Sequence, residues 1–289
     1  MNLNAFWFVI VGVLLTGYAV LDGFDLGTGP LLLCTRSDHE RRVFLNAIGP
    51  IWNGNKVWLV TGGGALFAAF PQVVATVMSG FYDLFMLLLV ALIFRAAAIE
   101  FRSQRPGTGW RTTWDVAFAI SSVLSAFLLG VAVGNIIWGI PLDSAREFDG
   151  SFLTLLHPYA LFTGLTTVVL FIMHANVYLV LKTDGPLREK LMRWTTVTVP
   201  AYLACFVAFN ALTLFGCPHI VAAFRERPLD PERTFHRRAG GDVQHRARDL
   251  EKTARARFRE FLRGAGAASA SVRYRRLSEP GLLDPEPCL

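Results

Sequence analysis

Charged residues are scarce along most of this chain. Only 17% of its 289 residues are Asp, Glu, Lys or Arg, whereas 53% are hydrophobic, and the mean hydropathy is +0.42. In a soluble domain about a quarter of the residues are charged. This deficit excludes an ordinary soluble protein and predicts an all-α fold, a polytopic bundle of membrane helices in contact with the lipid bilayer.

Cysteine and histidine are also rare, which limits the chemistry available to the chain. The four cysteines share no short spacing, so neither a zinc site nor a disulfide framework is predicted. His157 and His174 are the only histidines in the apolar runs, and about 25 Å of helix would separate them, too far to share a metal. No phosphate-binding loop or nucleophile elbow is present. We therefore expect neither catalytic residues nor metal ligands.

Six apolar runs are long enough to cross a bilayer. They cover residues 5–33, 57–77, 80–99, 116–140, 152–181 and 196–215. The segment 1–7 lacks the basic region of a secretory signal, so the first run is expected to remain as a helix. Ten basic residues lie in the loops after the first, third and fifth runs, whereas the opposite loops carry Arg146 alone. The positive-inside rule therefore predicts that the N-terminus is outside.

The composition changes after residue 216. Residues 1–216 form the predicted transmembrane domain, and residues 217–289 form a tail with 14 arginines, one lysine and no spanning run. The tail has three interpretations: a basic arm that binds anionic lipid or nucleic acid, a disordered segment, or an out-of-frame product of a GC-rich gene from about Pro228. The third is favoured, because the predicted topology would place these arginines outside.

Two carboxylates lie inside the first run. Asp22 and Asp25 are three residues apart and share a helical face. An ionised Asp in a membrane helix costs about 2.5–3.5 kcal/mol on insertion scales, so the pair needs partners, water or a function. Gly23 and Gly27 form a GxxxG motif that lets another helix approach closely. The same packing role is expected of a glycine run in the second span: Gly62, Gly63 and Gly64.

Polar residues also stand at the cytoplasmic ends of the second and third runs. Trp52 and Asn53 begin a cluster that continues through Asn55 and Lys56. At the corresponding end of the third run, Glu100 provides a carboxylate, and the neighbouring Arg95 is expected to snorkel to the interface. A carboxylate and amides at one membrane surface can line a water-filled proton path from the cytoplasm.

These motifs resemble subunit II of the cytochrome bd family of quinol oxidases, including its cyanide-insensitive branch. The resemblance covers about residues 1–225 and lies in GYAVLDGFDLG (17–27), GPIWNGNKVWL (49–59), GGALFAAFP (63–71), SGFY (79–82), FR (94–95) and WD (114–115). It implies a haem-free subunit of a terminal quinol:oxygen oxidoreductase in the bacterial cytoplasmic (inner) membrane. Quinol and oxygen would be the substrates of the complex, and no nucleic acid is expected as a partner.

The resemblance also implies a division of labour with a haem-bearing subunit I, which would hold haem b, haem d and the quinol site. Subunit II would support assembly and deliver cytoplasmic protons to the oxygen-reducing haem. Carried over by position, this path uses Trp52, Asn53 and Glu100, and Asp22 and Asp25 match the acidic motif of the first helix. Some members also hold a structural quinone, to which no residue is assigned.

The chain departs from the family pattern at two positions. Position 53 is often aspartate, and the amide of Asn53 cannot exchange a proton, so Glu100 is expected to carry the exchange; Gln104 stands where some members have lysine. Two other functions remain open. One is a secondary transporter or ion channel with its site at Asp22 and Asp25, although no inverted repeat is visible. The other is a membrane scaffold in which the embedded charges only pair.

Overall fold

The computed structural model describes residues 3–142 and 148–217, and the structural statements below concern these residues. Helices dominate this part of the chain, which contains no strand. They are α1 (Leu3–Leu33), α2 (Asp38–Ile48), α3 (Trp52–Ala69), α4 (Pro71–Gly80), α5 (Tyr82–Phe101), α6 (Thr108–Trp138), α7 (Pro158–Lys182) and α8 (Gly185–Gly216). The predicted all-α helix bundle is thereby confirmed. Apart from Cys217, the predicted tail (217–289) lies outside the described residues, as does Arg146.

Five helices are long and apolar enough to cross a membrane: α1, α5, α6, α7 and α8. The pair α3 and α4 makes a sixth candidate if the two are taken as one span, although they meet at a bend of 120°. The second predicted run, 57–77, is therefore not a continuous helix. Phe70 leaves the helical region (φ −136°, ψ 60°) just before Pro71, since proline disfavours a helical conformation in the residue before it.

The helix of the fifth run begins later than the apolar pattern predicts. Phe152–Leu156 forms a short 3₁₀ turn, and α7 starts at Pro158. The His157 ring accepts a hydrogen bond from the Ala160 amide at 3.4 Å and so caps the first turn of α7. Proline at the first position is compatible with this start, because its missing N–H would have had no intrahelical partner.

Helix α1 lies at the centre of the bundle and packs against α3, α6 and α7. Its N-terminal half is largely exposed, whereas every residue from Asp22 to Gly29 is buried. The most enclosed part of the first span is thus the part that carries both carboxylates. Around it, α5 packs on α6 and α8 packs on α7.

The amphipathic helix α2 covers one end of the bundle and was not among the predicted runs. The Ser37 side chain caps it by accepting a hydrogen bond from the Glu40 amide at 3.1 Å. Phe44 and Ile48 are fully buried against α1, α6, α7 and α8 side chains. The Tyr178 hydroxyl of α7 donates to the Ala47 carbonyl at 2.9 Å. These contacts fix α2 across the end of the bundle.

The glycines of α1 allow close contact with α7. A Cβ added at Gly27 would collide with the Phe171 carbonyl oxygen, and one added at Gly23 would lie 2.9 Å from the Phe171 ring. In α3, a Cβ at Gly62 would lie 3.1 Å from Leu15, whereas Gly63 and Gly64 meet no described atom within 4 Å. A packing role for Gly63 and Gly64 therefore stays a prediction, because no described residue packs against either of them.

Replacing Gly27 by valine should destabilise the bundle, because the new side chain meets α7 backbone that cannot rotate away. Overpacking of this kind costs about 1–3 kcal/mol. The matched control is Gly12→Val, which adds the same side chain to the same helix where no atom lies within 4 Å. Thermal denaturation in detergent should show a clear loss for Gly27→Val only; equal losses would contradict the role assigned to this contact.

Candidate functional site

Buried ionisable side chains from three helices meet beside the enclosed half of α1. We call this group the intramembrane charge cluster; its members are Tyr18, Asp22, Asp25, Asn55, Lys56 and Arg95. Asp22, Asp25 and Arg95 are 0% exposed. Helix α1 supplies the carboxylates and the phenol, α3 supplies Asn55 and Lys56, and α5 supplies Arg95. The cluster therefore joins helices that are distant in sequence.

Asp22 is held by two cations from opposite sides. Arg95 Nη1 donates a hydrogen bond to Asp22 Oδ1 at 3.4 Å, and Lys56 Nζ forms an ion pair with Asp22 Oδ2 at 3.6 Å. Pairing of this kind offsets the cost of placing an ionised carboxylate in a membrane helix. It also overturns the expectation that Arg95 snorkels to the interface, because its guanidinium is buried against α1.

Asp25 has a different environment. Asn55 Nδ2 donates to Asp25 Oδ2 at 2.9 Å and also to the Leu21 carbonyl at 3.1 Å, which fixes the orientation of the amide. Asp25 Oδ1 is buried and has no hydrogen-bond partner among the described residues. One neutral amide therefore supports this carboxyl group, in contrast to the two cations at Asp22.

The guanidinium of Arg95 also has unused hydrogen-bonding capacity. Its Nε and Nη2 atoms are buried without a partner in the described chain, while its Cζ lies 5.6 Å above the Phe118 ring. Buried polar atoms in proteins are nearly always paired with protein or with ordered water. Together with Asp25 Oδ1, these atoms make the cluster a place suited to internal water.

A second charged group, the Arg102 network, lies about 10 Å further along α5. It comprises Asp38 and Arg41 of α2, Arg102 at the end of α5, and Arg111 and Asp115 of α6. Arg102 Nε donates to Asp115 Oδ1, and its Nη2 donates to Asp38 Oδ1 at 2.6 Å. Arg41 Nη1 donates to Asp115 Oδ2 at 3.0 Å, and Arg111 Nη1 donates to Asp38 Oδ2 at 2.9 Å. This network ties α2 to the α5–α6 turn.

The charges of this network act on Asp38, which lies outside the membrane-spanning helices. Partial burial favours its neutral form, but the hydrogen bond and charge of Arg102, with a further contribution from Arg111, hold the pKa of Asp38 below its ordinary value. The ionised form of Asp38 is therefore favoured in the folded chain.

The residues predicted to form a proton path lie at the ends of their helices. Trp52 is half-buried at the start of α3, while Asn53 and Glu100 are exposed. No hydrogen bond or ion pair joins Glu100 to Trp52 or Asn53 in the described ranges. Their role in proton transfer stays a prediction, and the members of the charge cluster on these two helices, Asn55, Lys56 and Arg95, lie further from the helix ends.

The two histidines of the apolar runs are engaged separately. The His174 ring nitrogen Nε2 lies 2.9 Å from the Val20 carbonyl oxygen, within hydrogen-bond distance, and His157 caps α7. Across residues 3–142 and 148–217, no three His, Cys, Asp or Glu residues are grouped as metal ligands would be. The described chain thus offers ion pairs and hydrogen bonds, and no ligand set for a metal.

The family model for cytochrome bd terminal oxidase subunit II matches residues 3–252. The chain belongs to this family. Cytochrome bd-I ubiquinol oxidase subunit 2 of Escherichia coli K12 is 39% identical over 219 residues, which are 74% of this chain and 58% of the relative. Cytochrome bd ubiquinol oxidase subunit 2 of Bacillus subtilis 168 is 34% identical over 218 residues, which are 74% of this chain and 64% of the relative.

These comparisons confirm the resemblance to subunit II of the cytochrome bd family. They also show which part of the chain carries it. The chain spans about 58% of the length of the E. coli relative. The family match continues to residue 252, beyond the residue 225 at which the resemblance was expected to end. It therefore includes part of the arginine-rich tail, whose origin stays a prediction.

Replacing Arg102 by glutamine should destabilise the fold, because buried Asp115 then keeps Arg41 as its only cation. Removing one partner of a buried ion pair costs about 3–5 kcal/mol, and the remaining Arg41 contact puts the expected loss near the lower end. The control is Arg111→Gln, which removes a half-exposed partner and should change stability by about 1 kcal/mol or less. Denaturant titration of the protein in mixed micelles measures both.

The Arg102→Gln variant should also differ from the unchanged chain in how its stability depends on pH. Since the pKa of Asp38 is lowered in the folded chain, its contribution is present above the unfolded value of about 4 and is lost as the pH falls through the lower folded value. Arg102→Gln should remove most of this acid dependence. Unchanged acid dependence in Arg102→Gln would contradict the assigned pairing.

Proposed function

We propose that this chain is the haem-free membrane subunit of a terminal quinol:oxygen oxidoreductase and that it helps to deliver cytoplasmic protons to the partner's oxygen-reducing haem. Its membership of the oxidase subunit II family carries this proposal. Two matched relatives bear the name ubiquinol oxidase subunit 2. The intramembrane charge cluster supports the proton-handling part, because it places carboxyl groups and unpaired polar atoms deep within the helix bundle.

The partner is a haem-bearing subunit I that holds haem b, haem d and the quinol site, and the complex lies in the bacterial cytoplasmic membrane. The donor set of this chain supports such a division. Among the described residues, His174 Nε2 lies 2.9 Å from the Val20 carbonyl oxygen and the His157 ring caps α7, so each of these two histidines already has a backbone partner. Quinol supplies electrons to oxygen in the partner, and each electron that converts oxygen to water requires a proton. This chain's contribution is to hold and pass protons.

The predicted path and the charge cluster are adjacent along two helices. On α3, exposed Asn53 is followed within one turn by Asn55 and Lys56. On α5, exposed Glu100 lies five residues after Arg95, about 7.5 Å along the helix. Trp52, Asn53 and Glu100 therefore stand one to two helical turns from Asn55, Lys56 and Arg95, the side chains that contact the buried carboxylates. This spacing supports a hydrated route from the end of α5 to Asp22 and Asp25.

The route requires the α1–α2 loop to face the cytoplasm and the N-terminus to face outward. Cys34 provides the test, because it is exposed immediately after α1. In a variant that keeps Cys34 and has serine at the other three cysteines, a membrane-impermeant maleimide should label inverted vesicles and leave intact spheroplasts unlabelled. Labelling from the outer side of spheroplasts would reverse the topology and overturn cytoplasmic uptake through this opening.

Replacing Glu100 by glutamine should slow oxygen reduction while the complex remains assembled, because Glu100 is the carboxylate among the three residues assigned to the proton path, Trp52, Asn53 and Glu100. Positioned acid–base groups contribute about 10²–10⁴-fold to rates, so a loss of at least about tenfold is expected. The measurements are quinol-driven oxygen consumption and haem content after co-purification with subunit I. Glu189→Gln, the same change at an exposed position of α8, is the matched control and should leave the rate unchanged.

Two outcomes would contradict parts of this proposal. If the chain does not co-purify with a haem-bearing subunit, its place in an oxidase is wrong. If the Glu100→Gln complex retains the full rate, the chain acts as a scaffold rather than through Glu100. A further variant tests directly whether a carboxylate is needed at the opening. Asn53→Asp in the Glu100→Gln background restores a carboxylate there and should recover part of the lost rate.

A further inference from the structure

The two carboxyl groups of the charge cluster are adjacent in sequence but differ in what surrounds them. Both oxygens of Asp22 face cations, with Arg95 at 3.4 Å and Lys56 at 3.6 Å. No nitrogen of a described Lys, Arg or His lies within 4 Å of an Asp25 oxygen. The charges of Arg95 and Lys56 reach Asp25 only over longer distances. The cluster thus pairs one carboxylate with two cations and leaves the other with a neutral hydrogen-bond partner.

This difference determines which of the two carboxyl groups can be protonated without leaving a buried charge unpaired. Protonating Asp22 would leave Arg95 and Lys56 as uncompensated buried cations, a costly arrangement in a low-dielectric region. Asp25 accepts the Asn55 hydrogen bond at Oδ2 whether or not Oδ1 carries a proton. Asp25 Oδ1 is buried without a hydrogen-bond partner among the described residues, so a proton there displaces no protein contact. Asp22 Oδ2 also lacks a hydrogen bond, but it faces the Lys56 ammonium at 3.6 Å, and a proton there would disturb that ion pair. Asp25 alone can therefore change its protonation state without breaking an ion pair.

Charged and titratable groups around Asp25 come from several helices. They are Tyr18 and Asp22 of α1 itself, Lys56 of α3, Arg95 of α5 and Tyr178 of α7. The ring of His174 on α7 lies beside Gly23, and Ser122 of α6 lies beside Gly29, one turn further along α1. Tyr178 donates its proton to the Ala47 carbonyl at 2.9 Å. The Ser122 hydroxyl is buried without a partner in the described residues. Among these groups, Lys56 and Arg95 are committed to Asp22.

We infer that Asp25 is the buried proton-exchanging carboxyl group of this subunit, next in line after Glu100 at the opening, and that Asp22 is a fixed counter-anion that positions Arg95 and Lys56 around it. This inference rests on the proposed role in proton delivery and assigns that role to one atom, Asp25 Oδ1. The step forms and breaks one O–H bond. Asp25 takes a proton from water that enters past Glu100 and releases the same proton to water on the partner side, and no electrons move.

The test uses the complete complex with subunit I and four variants of this chain: Asp25→Asn, Asp25→Glu, Asp22→Asn and Glu189→Gln. Infrared difference spectroscopy between acid and alkaline pH should show a C=O stretch of a protonated carboxyl group that shifts in ²H₂O. This band should vanish in Asp25→Asn, move in Asp25→Glu and persist in Asp22→Asn and Glu189→Gln. The spectrum identifies the titrating residue without relying on turnover.

Oxygen consumption gives the second measurement. Asp25→Asn should lose about 10²-fold in rate at unchanged haem content and should change the pH profile of that rate, whereas Asp25→Glu should recover much of the rate and of the original profile. Asp22→Asn should act mainly through stability, with a lower denaturation temperature and reduced recovery of the complex, because two buried cations lose their anion. A merely structural role for Asp25 would leave the pH profile of the surviving complex unchanged.

The outcomes separate this inference from the proposed function. A band that persists in Asp25→Asn, or one that vanishes in Asp22→Asn, would overturn the assignment even if the complex is an active oxidase. If Asp25→Asn does not assemble, the band of Asp25→Glu decides, since an unmoved band also overturns the assignment. A wild-type complex without quinol-driven oxygen consumption would overturn the proposed function, while the infrared spectrum would still show which carboxyl group titrates.

Discussion

The ion pair between Asp22 and Arg95 is the contact on which the arrangement of this bundle depends. A carboxylate in the middle of a membrane helix must find a cation within the bundle, because lipid offers none. Arg95 supplies it from α5, which packs mainly on α6, and Lys56 adds a second cation from α3. The pairing therefore links three helices through one buried carboxylate. It also explains why the charged half of α1 is enclosed while its apolar half faces outward.

The Arg102 network continues this arrangement at the end of the bundle. Arg95 and Arg102 are seven residues apart on α5, two turns of one helix, and each binds an aspartate of another helix. Asp115 receives Arg102 and Arg41, as Asp22 receives Arg95 and Lys56. The two sites differ in exposure, however, because Asp38 of the outer network is 43% exposed and its contacts are shared with solvent. The outer network ties α2 to the end of α5, and the inner cluster holds the carboxyl groups to which the proposed route leads.

Sequence reasoning located the spans well because a run of about 20 apolar residues is itself the physical requirement for crossing a bilayer. It missed the break at Phe70, since the apolar composition continues on both sides and only Pro71 marks the bend. It missed α2 because an 11-residue amphipathic helix has no spanning run. The prediction that Arg95 snorkels to the interface was wrong for another reason. Snorkelling is a rule for a single helix, and the burial of Arg95 depends on an aspartate 73 residues earlier in the chain.

The charge balance of the cluster explains why it suits the transfer of single protons. With both aspartates ionised, two anions face two cations and the cluster is neutral. A proton on Asp25 leaves one excess positive charge in a region of low dielectric, which disfavours a second bound cation and favours release once an acceptor is available. Asp22 cannot neutralise this excess positive charge, because its own negative charge is already paired with Arg95 and Lys56. An amide at position 53 is compatible with this assignment: it cannot exchange a proton, so along the proposed route the first buried group to change its charge would be Asp25.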